Sequence, residues 1–293
     1  MERRRFLECA AAASCVSALL PMPALAGAAA VSRRLRFTLT FTNPLDRSLD
    51  GQSFWCYLPA NLARAQRLRE VQVSVAHSVQ NDVHGHRILA LSFDRFAPLA
   101  QKVVTVITEV ELAAEPEDDG LTAARNSPGG SAWLSAERYI ELDAPEIRAL
   151  AALLRRETEL ASARAIYEWV RDNLSYAGYL ADDFGALYAL INRRGDCTEY
   201  ADLVVALARA VGIPARMVGG YVTDRDAAPK PQDYHNWAQL YLGGAWRTVD
   251  SQKETWLASS AQYVVFRIYR DSASNPVGTA HRFRIDGDVT VSF

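Results

Sequence analysis

A buried helix that begins on a cysteine constrains this chain more than any other stretch. Arg194-Gly195-Asp196-Cys197-Thr198-Glu199-Tyr200-Ala201-Asp202 opens an apolar run that closes on Val211-Gly212-Ile213-Pro214. Ala201, Val204, Val205 and Ala208 recur at helical spacing, with Leu203 and Leu207 on the flanks, so the helix is expected to be largely buried. Asp196 can serve as N-cap and Gly212 as the C′ residue, while Pro214 blocks continuation. Cys197 then falls in the first turn, where free N–H groups and the positive end of the helix dipole favour a thiolate. The competing reading is a buried structural cysteine.

The 293 residues suffice for two domains, and 32 basic residues stand against 34 acidic ones. No basic stripe stands out, so nucleic acid is not an implied partner. Residues 1–30 read as a signal peptide of twin-arginine type. Arg3-Arg4-Arg5-Phe6-Leu7 is its basic region, Cys9 to Leu20 its short apolar stretch, and Ala24-Leu25-Ala26 its cleavage site. As an uncleaved anchor the apolar stretch is too short and too rich in alanine, and no later segment could cross a membrane, so no stable span is expected after cleavage. The expected location is periplasmic or secreted. Cys9 and Cys15 would leave with the signal; Cys56 and Cys197 remain and could pair in an oxidising compartment. A nucleophilic Cys197 must stay reduced, so no bridge to Cys56 is expected.

From Leu35 the pattern has period two: Leu35, Phe37, Leu39 and Phe41 alternate with Arg36, Thr38, Thr40 and Thr42. Further strands are expected near 52–58, 70–78, 88–93 and 102–112, separated by turn signals such as Asn43-Pro44, Asp50-Gly51 and Asn81-Asp82. This predicts a β-sandwich domain over residues 31–112. His84-Gly85-His86 reads as a hairpin tip; the metal alternative lacks any cysteine or acidic cluster to complete it. Residues 113–135, acidic and rich in Pro and Gly, form a linker, and residues 136–293 a second domain. That domain opens with a helix from Pro145 to about Arg156, capped by Asp143, and a second from about Leu160 to Leu174, with Ile166, Trp169, Val170 and Leu174 as its buried stripe.

Beyond Pro214 the chain returns to strands, among them Arg216 to Val222, Tyr263 to Tyr269, Phe283–Ile285 and Val289–Phe293. His235 to Leu242 and Ala245 to Asp250 form a hairpin around Gly243-Gly244. A two-residue turn there sets Asp250 opposite Trp237, which makes His235 and Asp250 diagonal neighbours within side-chain reach. A nucleophilic cysteine needs a base near its sulfur and a third group to orient that base. Cys197, His235 and Asp250 meet that requirement.

Gly195-Asp196-Cys197-Thr198-Glu199-Tyr200-Ala201, then Ala208-Arg209-Ala210-Val211-Gly212-Ile213-Pro214-Ala215-Arg216 with Gly220-Tyr221, His235-Asn236-Trp237 and Trp246-Arg247-Thr248-Val249-Asp250 resemble the bacterial transglutaminase-like superfamily, a branch of the papain-like cysteine enzymes. The resemblance covers about Ile140 to Trp256; Ser251-Gln252 departs from the Pro-Thr that many relatives carry after the Asp. It implies an α+β fold, a papain-like transglutaminase core preceded by the β-sandwich, with Cys197 as nucleophile, His235 as general base and acid, and Asp250 as orienting residue. It also implies acyl transfer from a peptide or amide carbonyl through a Cys197 thioester, on a protein or peptide substrate, with no cofactor and no metal. Hydrolysis is the leading second step, because water is always present; a primary amine acceptor would make a transamidase. The rivals are a non-catalytic binding or scaffold module on the same fold, and a sandwich that itself binds a surface partner or glycan. For the oxyanion hole, the Cys197 N–H is one expected donor, with Tyr176 and Tyr179 as candidates for the second.

Overall fold

The structure is a computed structural model that describes residues 30–63, 65–114, 132–278 and 282–293. The signal-peptide assignment and most of the linker fall outside the described residues.

Six strands open the chain: β1 (Val31–Thr42), β2 (Leu49–Leu58), β3 (Gln66–Val73), β4 (Ser78–Asn81), β5 (Arg87–Phe96) and β6 (Gln101–Leu112). Leu39 and Phe41 of β1, with Val104 and Val106 of β6, meet Phe54 of β2 and Leu89, Leu91 and Phe93 of β5 in one buried cluster. This is the inner face that the alternation predicts. The expected strand over 70–78 resolves into the end of β3, a bend at 74–77 and the short β4.

The described helices are α1 (Pro145–Leu154), α2 (Glu159–Asn173), α3 (Gly185–Asn192) and α4 (Cys197–Ala210). Asp143 does not cap α1; Ala144 holds the N-cap position without a side-chain bond, and Asp143 pairs with Arg148 instead. In α2 the buried stripe includes Tyr167, whereas Trp169 is only partly buried and lies under the Arg193 guanidinium. The short β7 (Ser175–Tyr176) and β8 (Arg194–Gly195) pair in parallel just before α4.

Strands β9 (Ala215–Val222), β10 (Tyr234–Leu242), β11 (Ala245–Asp250), β12 (Thr255–Ala258) and β13 (Tyr263–Ile268) make an antiparallel sheet in the order β12-β11-β10-β9-β13. Helix α4 packs on it: Leu203, Val204, Val205 and Leu207 share a cluster with Ala215, Met217, Ala238 and Leu240. The buried Leu, Val and Met side chains among these each contribute about 1.5–3 kcal/mol.

The chain ends in the sandwich rather than in the core. β14 (Phe283–Asp286) pairs with β2, and β15 (Thr290–Ser292) pairs with β1. Residues 283–293, placed by the sequence in the second domain, thus extend each N-terminal sheet to four strands. They alternate apolar and polar residues as core strands do, and nothing local to them encodes which sheet edge they meet.

The sandwich also closes an edge of the core. β13 has β9 on one side only, which would leave backbone groups unpaired on the other. Gln66 accepts from Val265 N–H (2.8 Å) and donates to Val265 C=O (2.7 Å), and Ala60 N–H donates to the same carbonyl. The imidazole of His86 accepts from Ile268 N–H at 2.8 Å and donates to Asp82 at 2.6 Å. The His84-Gly85-His86 turn is therefore a structural clamp at the tip of the β4–β5 hairpin. Gln66→Leu is expected to destabilise the full chain by about 1–3 kcal/mol in urea unfolding, because it leaves the Val265 N–H without an acceptor, while the Val265 carbonyl keeps only its Ala60 donor.

Candidate active site

The start of α4 is a closed capping box. The Asp196 carboxylate accepts from Thr198 N–H at 2.7 Å and from the N–H of Glu199, while Glu199 accepts from Asp196 N–H at 2.9 Å. Glycine is required at 195, since a Cβ there would sit 2.4 Å from the Cβ of Glu199. The other Glu199 oxygen accepts from Phe184 N–H, and Asp196 also accepts from Leu180 N–H, so the cap ties down the loop that precedes α3. With Thr198 and Glu199 committed to Asp196, Cys197 keeps its own N–H as the donor of the first turn that the cap does not take.

The hairpin register is the one a two-residue turn demands. Ala238 faces Val249 and Leu242 faces Ala245 across Gly243 and Gly244, whose φ values of 60° and 84° suit a type I′ turn. His235 Nε2 donates to Asp250 Oδ2 at 2.7 Å, and both side chains are buried. That bond leaves Nδ1 as the ring nitrogen that can accept a proton. Tyr263 of β13 donates its hydroxyl to the same oxygen at 3.1 Å, and Lys253 N–H donates to Oδ1 at 3.0 Å. Trp237 stacks on the imidazole and meets Tyr263 edge-on, so the pair is walled by aromatic rings.

The sulfur lies near β10, whose Asn236 backbone N–H acts on the thiol in the direction that favours its charged form. Cys197 and Cys56 are both free thiols. Burial pushes the Cys197 thiol up to about 12, aided by the negative charges of Asp196, Asp250 and Glu199 and opposed by the Asn236 N–H. This reverses the expectation of an intrinsically acidic thiol. The helix end is positive, but its cap is a carboxylate, and a half-buried sulfur gains too little hydration to offset it as an unpaired thiolate. Cys56 is likewise pushed up to about 12 by burial.

The two tyrosines separate. Both are exposed, Tyr176 at 57% and Tyr179 at 82%; partial burial, then the charges of Cys197 and Asp196, raise the Tyr176 hydroxyl. Two contributors carried no assigned role in the sequence. Tyr263 lies on a strand remote from the hairpin, so no local spacing connects it to Asp250. Asn236 stood inside the quoted motif, yet its part depends on the fold: its amide donates to Thr198 at 2.9 Å and its carbonyl accepts from Tyr269. No group of three or more His, Cys, Asp or Glu suited to a metal ion occurs among the described residues, and none of their helices is long and apolar enough to cross a membrane.

Residues 148–251 match the transglutaminase-like superfamily, and this segment of the chain is a transglutaminase-like domain. An uncharacterized protein of Mycobacterium leprae (strain TN) is 33% identical over 96 residues, which are 31% of this chain and 33% of that protein. The chain thus matches about a third of that relative's length. Among solved structures, a candidate cysteine protease from Cytophaga hutchinsonii superposes with a TM-score of 0.65 at 19% identity, covering 90% of this chain and 89% of the other. The periplasmic domain of TgpA from Pseudomonas aeruginosa, with ethylmercury bound, gives a TM-score of 0.40 at 19% identity over 77% of this chain and 91% of that one. The Cytophaga likeness runs through sandwich and core alike and establishes a shared fold.

Proposed function

We propose that this chain is an exported cysteine-dependent acyl-transfer enzyme that opens peptide or amide bonds through a Cys197 thioester, with water as the second acceptor. The observation that carries the reading is the 2.7 Å bond from His235 to Asp250, on the strand whose next N–H, that of Asn236, favours the charged form of the Cys197 thiol. In the first half-reaction His235 Nδ1 takes the thiol proton, and the thiolate attacks the carbonyl carbon, forming the C–S bond. Charge then develops on the carbonyl oxygen, where the Cys197 N–H is a fitting donor. The imidazolium returns its proton to the departing nitrogen as the C–N bond breaks. Water, deprotonated by the same imidazole, attacks the thioester and regenerates the thiol. Asp250 keeps the imidazole in the tautomer this sequence needs and stabilises its charged form.

The test is incubation of the full chain with a peptide mixture and a tagged primary amine, read by mass spectrometry, with Cys197→Ala as control. Cleavage or deamidation that depends on Cys197 supports hydrolysis. Incorporation of the tag assigns a transamidase instead. Absence of any Cys197-dependent product overturns the enzymatic reading in favour of a binding module. Within this reading Tyr263 is a positioning residue. Tyr263→Phe is expected to lower kcat about two- to tenfold with KM little changed. Losing that donor makes Asp250 a stronger acceptor for His235, so the acid limb of the rate profile should move to higher pH.

A further inference from the structure

Residues 175–184, between α2 and α3, are fastened by their backbone to the start of the cysteine helix. Tyr176 of β7 pairs with Gly195 of β8, two positions before Cys197, and Ala177 N–H donates to the Gly195 carbonyl at 2.8 Å. Leu180 N–H donates to Asp196 at 3.1 Å, and Phe184 N–H to Glu199 at 3.0 Å. Just beyond, Glu141 accepts from Ala186 N–H and Leu187 N–H. Gly178 and Gly185, at φ 76° and 86°, provide the left-handed turns that the path needs.

The side chains of this segment tell a different story from its backbone. Tyr176, Tyr179 and Phe184 are all exposed, and Phe184 stacks on Tyr188 of α3 at 4.6 Å. Backbone hydrogen bonds already hold the segment in place, so these rings are not needed to anchor it. Large apolar side chains left together in water mark an interaction surface. A surface on a fixed backbone also loses little entropy when it is covered.

The chemistry of the occupant follows from the lining. Each ring can bury about 150–250 Å² under an apolar partner and favours another ring. The charged residues of the segment are Asp182 and Asp183, and it contains no base. The cap to which it is bonded is itself made of Asp196 and Glu199. An anionic side chain is therefore disfavoured, and an uncharged apolar one is favoured. We propose that Tyr176, Tyr179 and Phe184 form the subsite that selects the acyl donor, a peptide with an aromatic or large aliphatic side chain beside the scissile amide. This rests on Cys197 being the nucleophile of the reaction proposed above.

The test compares alkylation of Cys197 in the full-length protein by iodoacetamide and by N-(2-phenylethyl)iodoacetamide, read on the Cys197 peptide by mass spectrometry. Each rate is divided by that of the same reagent with glutathione. The ratio of the two corrected rates cancels the reactivity of the thiol and reads the subsite alone. The phenyl reagent is expected to gain about tenfold, whereas N-(2-carboxyethyl)iodoacetamide gains nothing. Tyr179→Ser and Phe184→Ser should each lower the gain about two- to fivefold, and Phe184→Leu should keep most of it. A ratio near one in the wild type overturns the proposal. So does a gain that survives in the Tyr179→Ser/Phe184→Ser double variant. Failure of the underlying reaction looks different: both reagents would then react at rates that His235→Ala leaves unchanged, and the subsite would fall with it.

Discussion

His235→Ala is expected to slow alkylation of Cys197 by iodoacetamide at least about 100-fold at pH 7–8. The reason lies in what surrounds the sulfur. Burial and three nearby carboxylates hold the thiol up to about 12, so the cysteine on its own is almost wholly protonated at neutral pH. In the proposed chemistry its proton passes to His235, and a thiolate formed beside an imidazolium belongs to a pair with no net charge. Asp250, fixed by three donors, stabilises that imidazolium. With His235 present, alkylation should persist well below an ordinary thiol pKa; without it, the rate should climb only at strongly alkaline pH. Asp196→Asn in the His235→Ala background isolates the cap: asparagine also caps a helix, but the removed charge should bring part of the rate back. Equal rates in the wild type and His235→Ala would place the imidazole out of contact with the sulfur and end the nucleophile assignment.

The features legible in the sequence are those written in local periodicity. The alternation of Leu35, Leu39 and Phe41 reports one buried face of β1, and the stripe from Ala201 to Ala208 reports the burial of α4. Turn chemistry was equally direct. Gly243-Gly244 permits one tight turn, and that turn fixes the register that brings His235 to Asp250. What escaped depends on contacts between distant segments. The final strands alternate correctly but give no hint that β14 joins β2 and β15 joins β1. Gln66 and His86 look like surface polar residues of a β-domain until β13 presents its open edge to them.

The candidate site divides along the same line. Its residues were visible because a helix start and a hairpin each have a sequence signature. Its electrostatics were not, because the thiol responds to the sum of burial and every nearby carboxylate, not to the helix dipole alone. Asp196 illustrates the conflict: the residue that best caps α4 also brings the negative charge that opposes a thiolate one position away.

Asp202→Asn is expected to make the protein more stable than the wild type at neutral pH, by a margin that grows with pH. Burial raises the Asp202 carboxyl well above its ordinary range, and the charges of Glu199, Asp183 and Glu141 push the same way. Arg209 pulls against them, but it is already committed to Glu137 and two carbonyls. Across the interval by which burial raises it, the folded chain keeps a proton on Asp202 that the unfolded chain, with an ordinary carboxyl pKa of about 3.9, has released. Stability from this group is complete below that unfolded value and falls as pH rises toward the folded one, by about 1.4 kcal/mol per pH unit. Asparagine stays neutral throughout and removes that loss. Urea unfolding of both full-length proteins between pH 4 and 8 should give nearly equal stabilities at the acid end and curves that separate as the pH rises. Parallel curves across that range would mean that Asp202 is ionised and partnered in the folded state.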